Sequence, residues 1–187
     1  MLPSEKLLAL RHAFEASRIP YAFGGAIALF YYRDPRSTTD IDINVFLPPE
    51  RQAEVLTVLG QLFAFDHLGI GSEIEENGQA RALWGATFVD LFFADTDFHD
   101  AMARRVRREP FLDEEIPVLS AEDLLVCKAL FDRPKDWLDI AAVVAAQGEA
   151  LDGAYVDAAL ALFVEESDHR FVRWRELTGG DASGSGR

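Results

Sequence analysis

Apolar and polar positions alternate most cleanly just before the first quarter of the chain ends. In STTDIDINVF (residues 37–46), Ile41, Ile43 and Val45 are interleaved with Asp40, Asp42 and Asn44, and Phe46 closes the run. Period two is the signature of a strand, so the two aspartates share the face opposite the isoleucines. Strands disfavour aspartate, and two on one face of a well-patterned strand call for a reason beyond folding. A second apolar stretch, TFVDLFFA (87–94), holds a lone acid, Asp90. It follows ARALW (80–84) across Gly85-Ala86, and the pair predicts a hairpin with a short turn.

Helical spacing surrounds these strands. Leu7, Leu8, Leu10 and Phe14 predict a helix from Ser4 to about Ser17, with Ser4 as N-cap and Pro20 beyond its end. YAFGG (21–25) predicts a short strand entering a glycine turn, and AIALFYYR (26–33) a helix leaving it. PPERQAEVLTVLGQLF (48–63) opens on prolines suited to a helix start and continues with an amphipathic pattern. Residues 66–78 are rich in glycine and glutamate and give no clear period. A helix at 97–108 and a short strand at IPVLS (116–120) come next. Helices follow at about 121–131, 134–147, 152–165 and 168–177, the first with Ser120 and Asp123 spaced like a capping box. The small, polar tail GGDASGSGR is expected to be flexible.

These elements predict an α/β fold: a small, mixed, twisted sheet flanked by helices over residues 1–119, and a helical C-terminal region (120–178) packed on that core. A tail at 179–187 follows. At 187 residues the chain is long enough to bury a real core, and no repeat or long linker marks a second independent domain. No apolar run approaches the roughly 20 residues of a membrane span. The N-terminal stretch carries charges where a signal peptide needs a greasy run. One cysteine, Cys127, leaves no intramolecular disulfide. The expectation is a cytoplasmic protein with no membrane association. A net charge of −14 repels nucleic acid at long range and excludes a general nucleic-acid coating role.

The acids then gain a meaning. Asp40, Asp42 and Asp90, if brought together on adjacent strands, repel one another unless a divalent cation neutralises them. Mg²⁺ (or Mn²⁺) takes oxygen ligands and bridges carboxylates to substrate phosphates. Such ions clamp the attacking and leaving oxygens of phosphoryl or nucleotidyl transfer. Gly24 and Gly25, between a strand and a helix, are candidates to bring bare backbone N–H groups to a phosphate. Gly-Gly alone is commonly just a tight turn; fifteen residues ahead of an Asp-x-Asp strand it is more specific.

The stretch GGAIALFYYRDPRSTTDIDI resembles the signature of the nucleotidyltransferase superfamily, with its DNA-polymerase-β-like fold. The form Arg36, Thr38, Asp40, Asp42 is similar to the AbiE-type toxin nucleotidyltransferases of bacterial toxin–antitoxin systems, as is LSAEDLLVCKALFDRPKDWLDI. The resemblance spans about Tyr21 to Ile140. It implies an NTP substrate, Mg²⁺ or Mn²⁺, and an acceptor among tRNA, protein and small molecules, with a cognate antitoxin as partner. It assigns Asp40, Asp42 and Asp90 to metal binding and catalysis, with Asp90 helping to deprotonate the attacking hydroxyl. Gly24, Gly25, Arg36, Thr38, Lys128 and Lys135 are assigned to the nucleotide, and Asp136 matches the aspartate beside the second lysine. Many members have serine where this chain has Gly25, which removes one hydroxyl from the phosphates.

Plainer readings stand beside these. Lys128 can be the solvated edge of its helix, and Asp136 and Asp139 ordinary helix-surface partners of Arg133 and Lys135. ARRVRRE (103–109) reads as an exposed helix face. The four histidines are scattered and suggest no zinc site. Trp84, Trp137 and Trp174 read as core. An alternative function is a non-catalytic nucleotide- or partner-binding relative, or a small-molecule nucleotidyltransferase of the antibiotic-modifying kind.

Overall fold

The computed structural model describes residues 1–33 and 40–179. In chain order, α1 (Pro3–Ala16) leads to β1 (Tyr21–Phe23), α2 (Gly25–Leu29) and β2 (Ile41–Val45). Next come α3 (Gln52–Leu62), α4 (His67–Asn77), and the hairpin of β3 (Gln79–Trp84) and β4 (Thr87–Phe93). Then follow α5 (Asp97–Arg105), β5 (Arg107–Phe111) and β6 (Glu114–Val118). Four helices close the chain: α6 (Ala121–Phe131), α7 (Pro134–Gln147), α8 (Gly153–Leu160) and α9 (His169–Thr178). The expected α/β class is the class observed.

The six strands form one mixed sheet in the order β3-β4-β2-β1-β6-β5. Strands β2 and β4 run parallel, with Ile41 opposite Val89, Asp42 opposite Asp90 and Ile43 opposite Leu91. Strand β1 is antiparallel to β2 and meets β6 in parallel at Phe23 and Val118. One sheet face carries Ile41, Ile43, Val45, Val89, Leu91 and Phe93, all buried. Fully burying each such side chain is worth roughly 1.5–3 kcal/mol relative to exposure. A slip of one residue would turn this set outward and the acids inward, so the same alternation fixes both core and acids.

The chain divides into two compact units, Met1–Ala28 with Arg36–Leu119, and Leu29–Pro35 with Ser120–Arg187. The first holds the sheet and α1, α3, α4 and α5. The second holds α6 to α9 around buried Trp137, Phe171 and Trp174, and it takes in the segment that follows α2. There Gln147 donates to the Tyr32 carbonyl at 3.0 Å. Among the described residues no helix is long and apolar enough to cross a membrane.

Several local expectations are corrected. Residues 66–78, left without a period, form α4, opened by Asp66 accepting from the Gly69 N–H at 3.1 Å and closed by Gly78 at φ 68°. The helix expected over 26–33 is the short α2, which ends at Leu29. The helix expected over 97–108 stops at Arg105, and Arg107–Phe111 turns into a strand paired with β6. ARRVRRE is therefore a helix face only as far as Arg105; beyond it, Arg108 reaches Glu15 at 2.8 Å and Arg107 lies 3.5 Å from Glu109. The helix expected over 152–165 ends at Leu160. α1 begins at Pro3, not after Ser4, and Glu5 accepts from the Leu2 N–H at 2.6 Å. The Ser120 cap is as expected, accepting from the Asp123 N–H at 3.1 Å. Trp137 and Trp174 are core, whereas Trp84 is half-buried and stacks on Phe63 at 4.8 Å between ring centroids.

Candidate active site

Strand polarity builds the site. Because β2 and β4 are parallel and in register, Asp42 and Asp90 project from neighbouring strands at one level on the face opposite the core. Asp40 immediately precedes β2, two residues before Asp42, and both are half-buried. Asp90 is only 8% exposed. Adjacent to Asp42 is the glycine turn: the Gly24 N–H donates to the Asp42 carbonyl at 2.9 Å, continuing the β1–β2 ladder.

Gly25 has φ +50°, and a Cβ built on it would lie 1.7 Å from the Asp42 Oδ2. A side chain is thus excluded twice, by backbone conformation and by the carboxylate. A Cβ on Gly24 would lie 2.5 Å from the Asn44 amide nitrogen. The glycines therefore bring backbone against the acidic strand with nothing between them.

The hairpin supplies the counter-charge. Arg81 on β3 stands directly opposite Asp90 on β4. Its Nε donates to Asp90 Oδ1 at 2.6 Å and its Nη2 to Oδ2 at 2.7 Å, a two-pronged, charge-assisted pair. The hydrogen bonds to Asp90 push the Arg81 guanidinium above its ordinary value, and the charges of Asp90, Asp40 and Asp42 add to this. Its carbon also lies 4.6 Å from the Phe88 ring centroid. Lys6 on α1 steadies the hairpin, its buried ammonium donating to the Trp84 carbonyl at 2.6 Å and the Thr87 hydroxyl at 3.0 Å.

Sequence reasoning missed Arg81, Asn44 and Lys6. Arg81 was within reach: a two-residue turn at Gly85-Ala86 pairs Trp84 with Thr87, and counting back three places pairs Arg81 with Asp90. No comparable arithmetic points to Lys6, whose partners lie 78 and 81 residues away.

Arg36 and Thr38 lie outside the described residues, as does most of the expected tail. Lys128, Lys135 and Asp136 belong to the second unit. The Lys128 ammonium is buried and donates to Asp136 at 3.1 Å and Asp139 at 2.7 Å. Arg133 holds Asp136 at 2.5 Å and Arg33 holds Asp139 at 2.7 Å. Lys128 is thus no solvated helix edge, and Asp136 and Asp139 are buried instead of lying on the helix surface, whereas Lys135 is exposed. Among the described residues no three His, Cys, Asp or Glu side chains are gathered so that they could hold a metal ion as they stand.

The α/β sheet with paired aspartates and an adjoining glycine turn defines the nucleotidyltransferase class. A model of the family described as nucleotidyl transferase AbiEii toxin, type IV TA system, matches residues 7–181, and the chain belongs to that family. It is accordingly a nucleotidyltransferase. Among solved structures it resembles the antibiotic-resistance factor ANT(2'')-Ia in complex with adenylyl-2''-tobramycin, at 16% identity and TM-score 0.58, over 86% of this chain and 95% of that one. A solution structure of the same factor matches at 17% identity and TM-score 0.57, over 86% and 90%. The lincomycin-bound lincosamide antibiotic adenylyltransferase LnuA matches at 16% identity and TM-score 0.53, over 76% and 96%. At these identities the likeness is one of fold. No curated protein is similar enough in sequence to match.

Proposed function

We propose that the chain transfers a nucleoside monophosphate from an NTP to an acceptor hydroxyl, using Mg²⁺ or Mn²⁺ and releasing pyrophosphate. The observation that carries this reading is the direct opposition of Asp42 and Asp90 on parallel strands, with the Gly25 backbone against Asp42. The donor set suits a hard divalent cation: carboxylate oxygens from two strands at one level, one of them already holding the guanidinium of Arg81 as it would a cation. Asp40, Asp42 and Asp90 would be its ligands. Once bound, such a cation neutralises the triphosphate and the departing pyrophosphate.

The chain's own residues do the rest. Gly24 and Gly25, having no Cβ, let a triphosphate come against the backbone beside Asp42. Asp90 accepts the proton of the acceptor hydroxyl as its oxygen bonds to the α-phosphorus and the bond to the β-phosphate oxygen breaks. The proton ends on the carboxylate and the electron pair leaves with pyrophosphate. These groups all belong to the first unit, and the Lys128 ammonium is held by Asp136 and Asp139 in the second.

The acceptor belongs to RNA, protein or small molecules. Net charge −14 and the carboxylate contacts of Arg107 and Arg108 favour an acceptor that is not a polyanion. A cognate antitoxin and a cytoplasmic setting complete the reading. The test is incubation of cell extract with each of four α-labelled NTPs and Mg²⁺, with and without chelator. Chelator-sensitive label on one macromolecular or small-molecule fraction supports transfer. Absence of label with every NTP, in the extract of the native host, sinks it.

A further inference from the structure

The Arg81–Asp90 pair is at odds with a permanent structural role on one side and with cation binding on the other. Asp90 is nearly buried, and both of its oxygens accept from one guanidinium, so in this conformation neither is left for a cation without competition. Arg81 itself is 54% exposed along its side chain. It extends from a strand whose backbone is locked by antiparallel pairing, so it can leave Asp90 by side-chain rotation alone. The Phe88 ring, 4.6 Å from the guanidinium carbon, offers it an aromatic face on the same side of the sheet. Asp40 and Asp42 add their charges to the field around it.

Building on the metal-site reading, we infer that Arg81 is the resident counter-ion of Asp90, holding the carboxylate in the cation-free protein and yielding it when a divalent cation binds. Arg81 thereby sets the cation concentration at which the site assembles. It is a positioning residue, since it acts on Asp90 rather than on the reacting atoms. Without it the nearly buried Asp90 would face Asp42 uncompensated, at the cost that burial imposes on unpaired charge. Exchange between a guanidinium and a cation keeps that carboxylate neutralised at every stage.

The test is Mn²⁺ binding to nucleotide-free protein, read from the free-ion paramagnetic resonance signal, for wild type, Arg81→Gln, Arg81→Lys and Asp42→Asn. Arg81→Gln should bind Mn²⁺ about two- to fivefold tighter than wild type, the scale of removing one half-exposed competing pair. Arg81→Lys should fall between them, because an ammonium cannot grip both oxygens. Mg²⁺ should raise the melting temperature of Arg81→Gln more than that of wild type. In wild type, the Arg81 Nε–Hε resonance should move as Mg²⁺ is added. Equal or weaker Mn²⁺ binding by Arg81→Gln, with Asp42→Asn still impaired, overturns the exchange but leaves the metal site standing. Should Arg81→Gln fail to fold, an Arg81 resonance unmoved by saturating Mg²⁺ overturns it instead. Wild-type Mn²⁺ affinity in Asp42→Asn removes the metal site, and the exchange with it.

Discussion

Two clusters of charge, one in each compact unit, look alike in sequence and differ in kind. On the sheet, Asp42 and Asp90 stand opposite one another with Asp40 just before β2, and the Arg81 guanidinium grips Asp90. In the helical unit, Asp136 and Asp139 share the Lys128 ammonium, and each also accepts from its own arginine, Arg133 or Arg33. Two carboxylates there meet three cations, and Lys128, Asp136 and Asp139 are all buried. A buried ion is tolerable only when neutralised and hydrogen-bonded, so the second cluster is closed by its own partners. In the first, Asp90 is gripped by a half-exposed arginine, and Asp40 and Asp42 are themselves only half-buried. A half-exposed pair on a rigid sheet can give way to a cation, whereas a buried cluster closed by its own hydrogen bonds is architecture.

The sharpest way to break this contrast is to neutralise one acid in each cluster. Asp42→Asn should lower Mg²⁺-dependent transfer by about 10³-fold or more, since charge stabilisation through a metal is worth several kcal/mol. Its melting temperature should hold or rise, because repulsion is relieved. Label transfer and calorimetric melting on the same preparation check both halves. Transfer at the wild-type rate would take Asp42 out of the site.

Asp139→Ala should do the reverse. It strips one of two carboxylates from buried Lys128 and the partner of Arg33, and should cost about 3–5 kcal/mol of stability, read by urea unfolding. Lys128→Met should cost less, about 1–3 kcal/mol, because Asp136 and Asp139 each keep an arginine. If Lys128→Met proved the more damaging of the two, the ammonium would be the keystone and the charge count above would be wrong.

How far these clusters could be seen in advance follows from the separations involved. Period-two alternation in β2 exposed Asp40 and Asp42, and the apolar run of β4 exposed Asp90 as its lone acid, because strand patterns are local. The hairpin turn made Arg81 countable. The parallel pairing that sets Asp42 against Asp90 joins residues 48 positions apart, and only the logic of clustered acids anticipated it. The Lys128 cluster recruits Arg33 from 106 residues before Asp139, and no local period announces that. β5 was hidden because ARRVRRE continues the composition of a helix end. Its strand state comes from pairing with β6, a partner that follows it in sequence.

The glycine turn sharpens the contrast at a smaller scale. Gly25→Ala places a Cβ in the position where the Asp42 Oδ2 lies 1.7 Å away, and does so at φ +50°. A stability loss of about 1–3 kcal/mol is expected from strain and displacement together. Mn²⁺ affinity should fall with it, because Asp42 is the group that must move. Unfolding curves and Mn²⁺ titration on Gly25→Ala test this. Lost stability with unchanged Mn²⁺ binding would make Gly25 a folding residue only.

The smallest effect distinguishes a rim charge from both clusters. Asp132 ends α6 in the left-handed region at φ 54° and accepts from Trp137 Nε1 at 2.7 Å and His169 Nε2 at 2.6 Å. Those hydrogen bonds, His169 first, hold its carboxyl below the ordinary value of 3.8. A depressed folded value favours the charged form, so its contribution is fully present above the unfolded value and is lost as pH falls through the folded one. Asp132→Asn keeps an acceptor for Trp137 and a residue that tolerates the left-handed backbone, and removes only the charge. Wild type should therefore melt slightly above the variant at neutral pH, with the gap closing as pH drops below 3.8. Melting curves from neutral to strongly acid solution measure it. A gap that stays constant across that range would mean that the charge of Asp132 contributes nothing and that the geometry of its hydrogen bonds does all the holding.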